Sequence, residues 1–341
     1  EELHNNKSSR NFWCRMEDGG YFSATGVSAM QQAAKFSDHA EDITVEAGLM
    51  WHKVSRKIEK YGIKAEVLSF VPEGVETEVM QVTLTNEGTE PVVFTPVGAI
   101  PVYGRSADNL RDHRHVTSLL HRAYVTEDGI CVQPVLSFDE RGHRRNFTSY
   151  FVAGAEGDGT KPEAFYPVVE DFIGEGGSLE VPEAVVRLKD GVKPGIHADG
   201  YEVMGGIRFA KKELAPGEKA VYVILLGVED TDAQTPELEA YAVAVTAKAV
   251  ESLGSEKKVQ EALEQTKAHW ENENNIAFHT GDAAFDNFMK WVSFQPVLRR
   301  IYGCSFLPHH DYGKGGRGWR DLWQDQLALL MMNPKTVGEM L

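Results

Sequence analysis

Alternating apolar and polar positions predict β-strands in the first two thirds of the chain. In residues 79–85, Met80, Val82 and Leu84 alternate with polar side chains, so an extended backbone places all three on one face. A turn at 86–91 follows, containing the Asn, Gly and Pro that typically separate strands. Similar runs occur at 92–95, 129–137, 148–153 and 220–227. Many short runs of this kind predict a large antiparallel β-sandwich over residues 1–234.

Helical spacing replaces this alternation from residue 235 onward. Residues 236–250 are rich in helix-forming residues such as Ala and Glu. Ser255 is placed to cap a second helix over 256–272, because its hydroxyl can accept a hydrogen bond from a free N–H of the first turn. Later helices are predicted at 319–333 and 337–341.

A further helix is predicted from Asp282 into the 290s, with an apolar stripe that we expect to be buried. The stripe consists of Phe285, Phe288, Met289 and Val292. Pro296 is expected to kink or end this helix, because proline lacks the N–H that a helix interior requires.

Strands followed only by helices indicate separate domains rather than an alternating α/β fold. We therefore predict a multidomain β-then-α chain: a sandwich at 1–234, a helical linker at 235–280 and a second, helical domain at 281–341. The chain starts at Glu1 without an initiator Met, and Leu341 falls inside a predicted helix. We expect it to be a fragment of a longer protein.

The composition and net charge limit the classes of partner that the protein can bind. The 341 residues are 42% hydrophobic and 25% charged, as in ordinary globular proteins, and the formal net charge is −16. So acidic a surface repels nucleic acid and anionic membranes, which excludes both as main partners, but it leaves uncharged ligands such as glucans open. No apolar run reaches the roughly 18 residues of a membrane helix, and no signal peptide is visible.

The cysteines predict neither a disulfide framework nor a zinc site. The chain has three cysteines, Cys14, Cys131 and Cys304. This number is odd, the three are far apart in sequence, and no CxxC motif occurs. We expect three reduced thiols in a cytoplasmic protein.

Candidate chemistry is concentrated between residues 305 and 326. His309 and His310 precede a glycine-rich loop at 312–318, and the helix after it carries four polar candidates and two tryptophans. These six residues are Trp319, Arg320, Asp321, Trp323, Gln324 and Asp325. Indole rings stack on the apolar face of a sugar, while carboxylates and amides bind its hydroxyls. The cluster is therefore typical of a sugar-binding site.

The pair Asp321 and Asp325 is unusual, because two carboxylates one helical turn apart repel each other. The helix dipole favours Asp321 in the first turn but does not explain Asp325. A structural alternative stays open, in which Arg317, Arg320 and both aspartates form an ion network that supports the helix end. A metal site at His309 and His310 is disfavoured, since adjacent side chains point apart and no other His/Cys cluster is near in sequence. The glycine-rich loop lacks the spacing of a phosphate-binding P-loop.

The same residues carry a family resemblance. Trp291-x3-Gln295-x3-Arg299, then Ser305-Phe306, then Gly318-Trp319-Arg320-Asp321-x2-Gln324-Asp325 resemble glycoside hydrolase family 94. Residues 280–286 resemble that family's junction between linker and barrel. The family comprises inverting phosphorylases such as cellobiose phosphorylase, and the motif around Trp319 is most similar to that of the 1,2-β-oligoglucan phosphorylases. The resemblance covers residues 280–340, whereas the preceding sandwich agrees in architecture.

The resemblance implies a β-sandwich, a helical linker and an (α/α)6 barrel, here only its first helices, commonly in a homodimer. Arg320 and Asp325 match the residues that hold the glucosyl unit to be cleaved. Trp319, Asp321, Gln324, His309 and His310 are further candidates for substrate binding. Inorganic phosphate is the co-substrate and no cofactor or metal is implied.

The family mechanism requires one general acid, because phosphate attacks the anomeric carbon in place of the base-activated water of an inverting hydrolase. The resemblance places that acid beyond Leu341, so no catalytic residue is assigned here. The expected reaction releases α-glucose 1-phosphate from β-linked, and in particular β-1,2-linked, glucans.

Two alternatives stay open. In the first, the chain is a non-catalytic sandwich module for carbohydrate binding or dimerisation. In the second, it is part of a related (α/α)-barrel hydrolase, which needs a second carboxylate to activate water. Arg105 and the Arg/His-rich segment 108–115 belong either to a loop that reaches a site across a dimer or to a solvated charged loop.

Overall fold

The computed structural model describes residues 10–102, 118–139, 142–230, 237–302, 319–332 and 334–340. These residues form two compact units. The first runs to Leu263 without Gly48–Met50, and the second comprises Gly48–Met50 together with the residues after Leu263.

The first unit is built from β-strands. Its described strands are β1 (Asn11–Met16), β2 (Tyr21–Ser23), β3 (Ile43–Gly48), β4 (Trp51–Ile58), β5 (Ile63–Phe70), β6 (Thr77–Asn86), β7 (Val92–Val102), β8 (His121–Val125), β9 (Gly129–Pro134), β10 (Leu136–Asp139), β11 (Gly142–Arg145), β12 (Thr148–Glu156), β13 (Ala164–Val168), β14 (Val203–Arg208), β15 (Lys212–Leu214) and β16 (Lys219–Asp230).

The helices within the sandwich are short, and the longer helices follow it. They are α1 (Ala29–Ala34), α2 (Val169–Ile173), α3 (Glu183–Val186), α4 (Leu238–Leu253), α5 (Glu256–Glu273), α6 (Ala283–Tyr302), α7 (Trp319–Met332) and α8 (Val337–Met340), with 3-10 turns at Glu59–Tyr61 and Pro334–Thr336. The predicted cap of α5 is present, since the Ser255 hydroxyl accepts a hydrogen bond from the N–H of Lys258 at 3.5 Å.

Two antiparallel sheets make the sandwich. One has six strands in the order β13-β14-β7-β1-β2, with β15 also paired to β7. The other has eight strands in the order β3-β4-β5-β6-β16-β12-β9-β8, and β10 and β11 form a separate hairpin. The predicted antiparallel sandwich is therefore confirmed. The start of an (α/α)6 barrel and the domain limits at 234 and 280 stay predictions.

The space between the sheets is apolar, as the alternation in residues 79–85 predicted. Met80, Val82 and Leu84 all lie in this interior. From the facing sheet, Phe12 contributes a ring whose centroid lies 5.2 Å from that of Tyr222 on β16. Burial of these aromatic and aliphatic side chains is the main stabilising term of the sandwich.

Helices cover the outer faces of both sheets. On the eight-stranded sheet, apolar residues such as Leu225 lie in one buried cluster with Val245 and Leu253 of α4. The hydroxyls of Thr126 and Thr246 are 2.9 Å apart and tie α4 to the turn before β9. On the six-stranded sheet, α2 and α3 cover a smaller cluster that contains Trp13 and Phe172. Each sheet is therefore buried on both faces over much of its area.

The second unit is helical and has its own apolar core. The core contains Leu49, Trp270, Phe294, Val297, Leu329, Met332 and Val337. Trp270 packs edge-on against Phe294, with ring centroids 5.5 Å apart. The side-chain amide of Asn275 also donates a hydrogen bond to the carbonyl of Met332, which joins the segment after α5 to the end of α7.

The predicted buried stripe of α6 is wrong. Phe285 is 46% exposed and Phe288 is 60% exposed, whereas Phe294 and Val297 are buried. Position 294 lies nine residues after 285, about two and a half turns, and therefore on the opposite side of the helix. Because α6 is apolar on both sides, periodicity did not show which side packs.

Pro296 does not end α6, and a kink at this position stays a prediction. The helix continues through it to Tyr302. A proline interrupts the helical hydrogen-bond ladder at one position only. Phe294 and Val297, on either side of it, are anchored in the apolar core, and this packing favours continuation of the helix.

Two valines of α4 provide a matched test of how the sheet is covered. Val245→Ala removes buried methyl groups (5% exposed) and should lower the free energy of unfolding by about 2 kcal/mol. Val243→Ala removes the same groups from the exposed side of α4 (49% exposed) and should change it by no more than about 0.5 kcal/mol. Urea denaturation of the two variants measures both values. Equal losses would contradict this packing of α4.

Candidate functional site

The first turns of α7 carry the described part of the predicted sugar site. Trp319 begins the helix, and Asp321 and Asp325 lie within it, one turn apart. The side chains of these three residues are outside the described part of the structure. His309, His310, Arg317 and the glycine-rich loop also lie outside the described residues, as do Arg105 and segment 108–115.

The described side chains of α7 divide into two faces. Gln326, Leu329 and Met332 are buried. Arg320, Trp323, Gln324 and Leu327 are exposed, and their spacing of three and four residues places them together on the opposite face. The structure therefore brings two predicted site residues, Arg320 and Gln324, onto one accessible face beside Trp323, which is 45% exposed.

The accessible face suits a sugar by its chemistry. Arg320 offers a planar set of N–H donors, and the Gln324 amide both donates and accepts hydrogen bonds. An exposed indole such as that of Trp323 is a surface on which a pyranose ring stacks. The opposite face anchors the helix through Leu329 and Met332 in the core of the second unit, which holds the exposed groups on a rigid element.

Segment 280–286, which precedes α7 in the same unit, forms the start of α6. The carboxylate of Asp282 accepts hydrogen bonds from the N–H groups of Ala284 and Phe285, at 3.0 and 3.2 Å. Asp286 reaches back and accepts from the hydroxyl of Thr280 at 2.7 Å. The contacts of Asp282 satisfy N–H groups that a helix start leaves unpaired, so the segment fixes the beginning of α6.

A sequence comparison identifies the family. The sequence profile of the glycosyl hydrolase 94 supersandwich domain matches residues 5–243. The chain belongs to glycosyl hydrolase family 94. The match covers the region of the strands, whereas the residues that resemble the family in sequence lie after it, at 280–340. No curated protein sequence matches this family 94 chain significantly.

Solved structures with partial similarity have very low sequence identity. A bacterial glucoamylase complexed with acarbose has a TM-score of 0.41 and 11% identity, and the match covers 83% of this chain and 35% of that one. A structure described as a kojibiose phosphorylase from the human microbiome has a TM-score of 0.40 and 6% identity, with coverage of 75% and 29%. A galactose mutarotase related enzyme from Lactobacillus acidophilus has a TM-score of 0.30 and 8% identity, with coverage of 58% and 75%. The family 94 chain thus spans about a third of the length of the first two.

Reactive cysteines and groups of side chains that could bind a metal ion would be further kinds of site in the described part of this family 94 chain. Cys14 and Cys131 are buried and unbonded, while Cys304 lies outside the described residues. Burial raises the pKa of Cys131 to about 12 and that of Cys14 well above its ordinary value, which keeps both as thiols. Within the described ranges, no group of three His, Cys, Asp or Glu side chains is placed to hold a metal ion. None of the helices described is long and apolar enough to cross a membrane.

Sequence analysis missed a set of polar side chains inside the sandwich. His52 and Arg56 occupy alternate positions of β4, with Val54 between them, and line a pocket. Residues 51–58 contain no regular alternation, because their apolar residues Trp51, Val54 and Ile58 are three and four positions apart, so the sequence did not show that His52 and Arg56 face inward.

The helix start at 280–286 makes a testable prediction about the acidity of one carboxyl. Hydrogen bonds from the hydroxyl and backbone N–H of Thr280 hold the pKa of Asp286 below its ordinary value of 3.8. Thr280→Ala should raise this pKa, whereas Thr280→Ser, which keeps the hydroxyl, should leave it low. NMR titration of the carboxyl carbon measures the difference. The same pKa in both variants would show that the hydroxyl does not hold Asp286.

The lowered pKa of Asp286 makes the stability of the protein depend on pH. Because folding lowers the pKa of Asp286, its contribution is fully present above the unfolded pKa near 4 and is lost as the pH falls through the lower, folded value. Stability of the Thr280→Ala variant should therefore approach that of the parent below about pH 4.

Proposed function

We propose that this chain is the sandwich and first barrel helices of an inverting phosphorylase that cleaves β-linked glucans, β-1,2-linked oligoglucose in particular. The main support is the family 94 supersandwich profile over residues 5–243. The exposed face of α7, with Arg320, Trp323 and Gln324 side by side, gives the proposal a place for the sugar. The residue pattern around Trp319 supports the choice of the β-1,2 linkage.

In the proposed reaction, a phosphate oxygen attacks the anomeric carbon of the terminal glucosyl unit. The bond from that carbon to phosphate forms as the glycosidic carbon–oxygen bond breaks, and a general acid protonates the departing oxygen. The products are α-glucose 1-phosphate and a glucan shorter by one unit. We place the general acid in the protein beyond Leu341.

The residues of α7 have binding roles in this proposal. The guanidinium of Arg320 and the carboxylate of Asp325 hold hydroxyls of the glucosyl unit, since donors and acceptors are both needed to bind a polyol. Trp319, Asp321, Gln324, His309 and His310 complete the surroundings of the sugar. This arrangement needs inorganic phosphate as co-substrate and no cofactor.

The domain limits, the oligomeric state and the cellular compartment are also part of this proposal. We propose a cytoplasmic homodimer in which 1–234 is the sandwich, 235–280 the linker and 281–341 the start of an (α/α)6 barrel. An acidic chain with net charge −16 fits an uncharged polyol substrate better than a nucleic acid or an anionic membrane.

The decisive experiment is the reverse reaction, measured as phosphate release from α-glucose 1-phosphate. The full-length protein is assayed with sophorose or cellobiose as acceptor, beside the chain of 341 residues. We expect phosphate release by the full-length protein alone, faster with sophorose. Glucose release from glucans without any need for phosphate would favour the hydrolase, and no turnover with any glucobiose would favour a binding module.

Replacement of Arg320 tests the proposed sugar contact. Arg320→Ala in the full-length protein should lower kcat/KM for phosphorolysis by about 100-fold, equivalent to ~3 kcal/mol, because charged hydrogen bonds to the substrate are lost. Arg187→Ala is the matched control, since Arg187 is an exposed arginine with a surface ion pair to Glu183. Unchanged kinetics in Arg320→Ala would remove this residue from the site.

A further inference from the structure

A pocket of about 330 Å³ opens into the sandwich of the first unit. It lies between the inner face of β4, β5 and β6 and the segment that follows β2. The lining residues are Arg10, Ala24, Thr25, Val27, His52, Val54, Arg56, Val67, Ser69 and Met80. The bottom is buried, with Ser69 and Met80 almost fully inaccessible, and His52 reaches solvent at the mouth.

The polar lining comes from β4 itself. Positions 52, 54 and 56 share one face of the strand, and pairing places His52 opposite Ser69 and Val54 opposite Val67 of β5. This face continues into the sandwich interior, where Val67 and Met80 belong to the apolar core. Packing against an apolar core favours apolar side chains, so the structure itself does not require His52 and Arg56 here.

Arg56 is incompletely satisfied. Its side chain is only 16% exposed, and one terminal nitrogen lies 3.3 Å from the carboxylate of Glu41. The Nε atom is buried and has no hydrogen-bond partner among the described residues. A buried N–H without a partner is costly, and this atom is itself inaccessible, so other atoms of the Arg56 side chain line the pocket.

Gly26 leaves room for this guanidinium. A Cβ at position 26 would lie 2.4 Å from the guanidinium carbon of Arg56, and the backbone φ of +78° is itself one that favours glycine. The segment after β2 therefore approaches the arginine as closely as a backbone can. The local backbone is shaped around the arginine side chain.

The charges of the pocket are already balanced. Arg10 forms an ion pair with Glu78, and Arg56 forms one with Glu41. Partial burial, together with the guanidinium of Arg10, holds the pKa of His52 below its ordinary value, so its imidazole is neutral at pH 7. A pocket with no free charge, with both donors and acceptors, favours an uncharged polar ligand over an anion.

We propose that this pocket, whose lining contains no residue of α7, binds one uncharged monosaccharide unit. A hexose offers hydroxyls that both donate and accept, which match the His52 ring and the hydroxyls of Thr25 and Ser69 in the lining. Its C–H groups match the apolar walls from Val27 and Val54. The volume lies at the small end of ligand pockets and suits one sugar ring rather than a chain.

The binding experiment uses the full-length protein carrying Arg320→Ala, so that the proposed cleavage site does not contribute. Ligand-observed NMR titrations with methyl β-D-glucopyranoside measure the Kd. We expect saturable binding that is weakened about tenfold by His52→Ala, which loses a donor and acceptor at the mouth. Arg56→Lys keeps the charge beside Glu41 but removes the planar guanidinium from the pocket wall, and should have a similar effect.

Lys57→Ala is the matched control, because Lys57 is the next residue of β4, points to the opposite face and should leave the Kd unchanged. Circular dichroism verifies the fold of each variant, and His52→Ala decides alone if Arg56→Lys fails to fold. Absence of binding, or an equal Kd in both pocket variants and the control, would overturn the proposal. Inorganic phosphate is titrated in parallel. If phosphate binds instead of the sugar, and its binding depends on Arg56, the choice of an uncharged ligand is overturned.

The result is independent of the proposed reaction. Sugar binding at the sandwich with no phosphorolysis by the parent protein would contradict only the reaction. Phosphorolysis without binding at His52 and Arg56 would contradict only this pocket.

Discussion

The burial of β16 on both of its faces is the constraint on which most of the first unit depends. Tyr222 and Ile224 point into the sandwich, and Val223 and Leu225 point away from it, yet all four are buried. A strand of this kind cannot lie on a sheet with one solvated face. The six-stranded sheet must cover its inner side and α4 its outer side, so the helix after the last strand is an integral layer of the fold.

The eight-stranded sheet changes character away from this central strand. The middle of β6 places Met80, Val82 and Leu84 on the inner face, whereas β4, near one edge, carries His52 and Arg56 on that same face. The segment after β2 covers this region in place of a paired strand of the opposite sheet. Stability is thus supplied at the centre of the sheet, and polar groups are tolerated near its edge.

Helix α7 of the second unit has two faces with different surroundings. In α7, one face packs through Leu329 and Met332, and the other presents Arg320 and Gln324. The packed core on one side fixes the helix backbone from which the polar side chains on the other side extend.

Local patterns in the sequence determined the elements and several of their ends. The alternation in 79–85 predicted which side chains of β6 face inward, because strand periodicity is a local property. Ser255 marked the start of α5 for the same reason, because a helix cap is also a local feature. Only the tertiary structure decided that β6 pairs with β16, far away in the chain, and that α6 packs through Phe294 instead of Phe285. It also decided that the polar positions of β4 face inward. These features depend on which partner surface covers each element, and a local pattern contains no information about that partner.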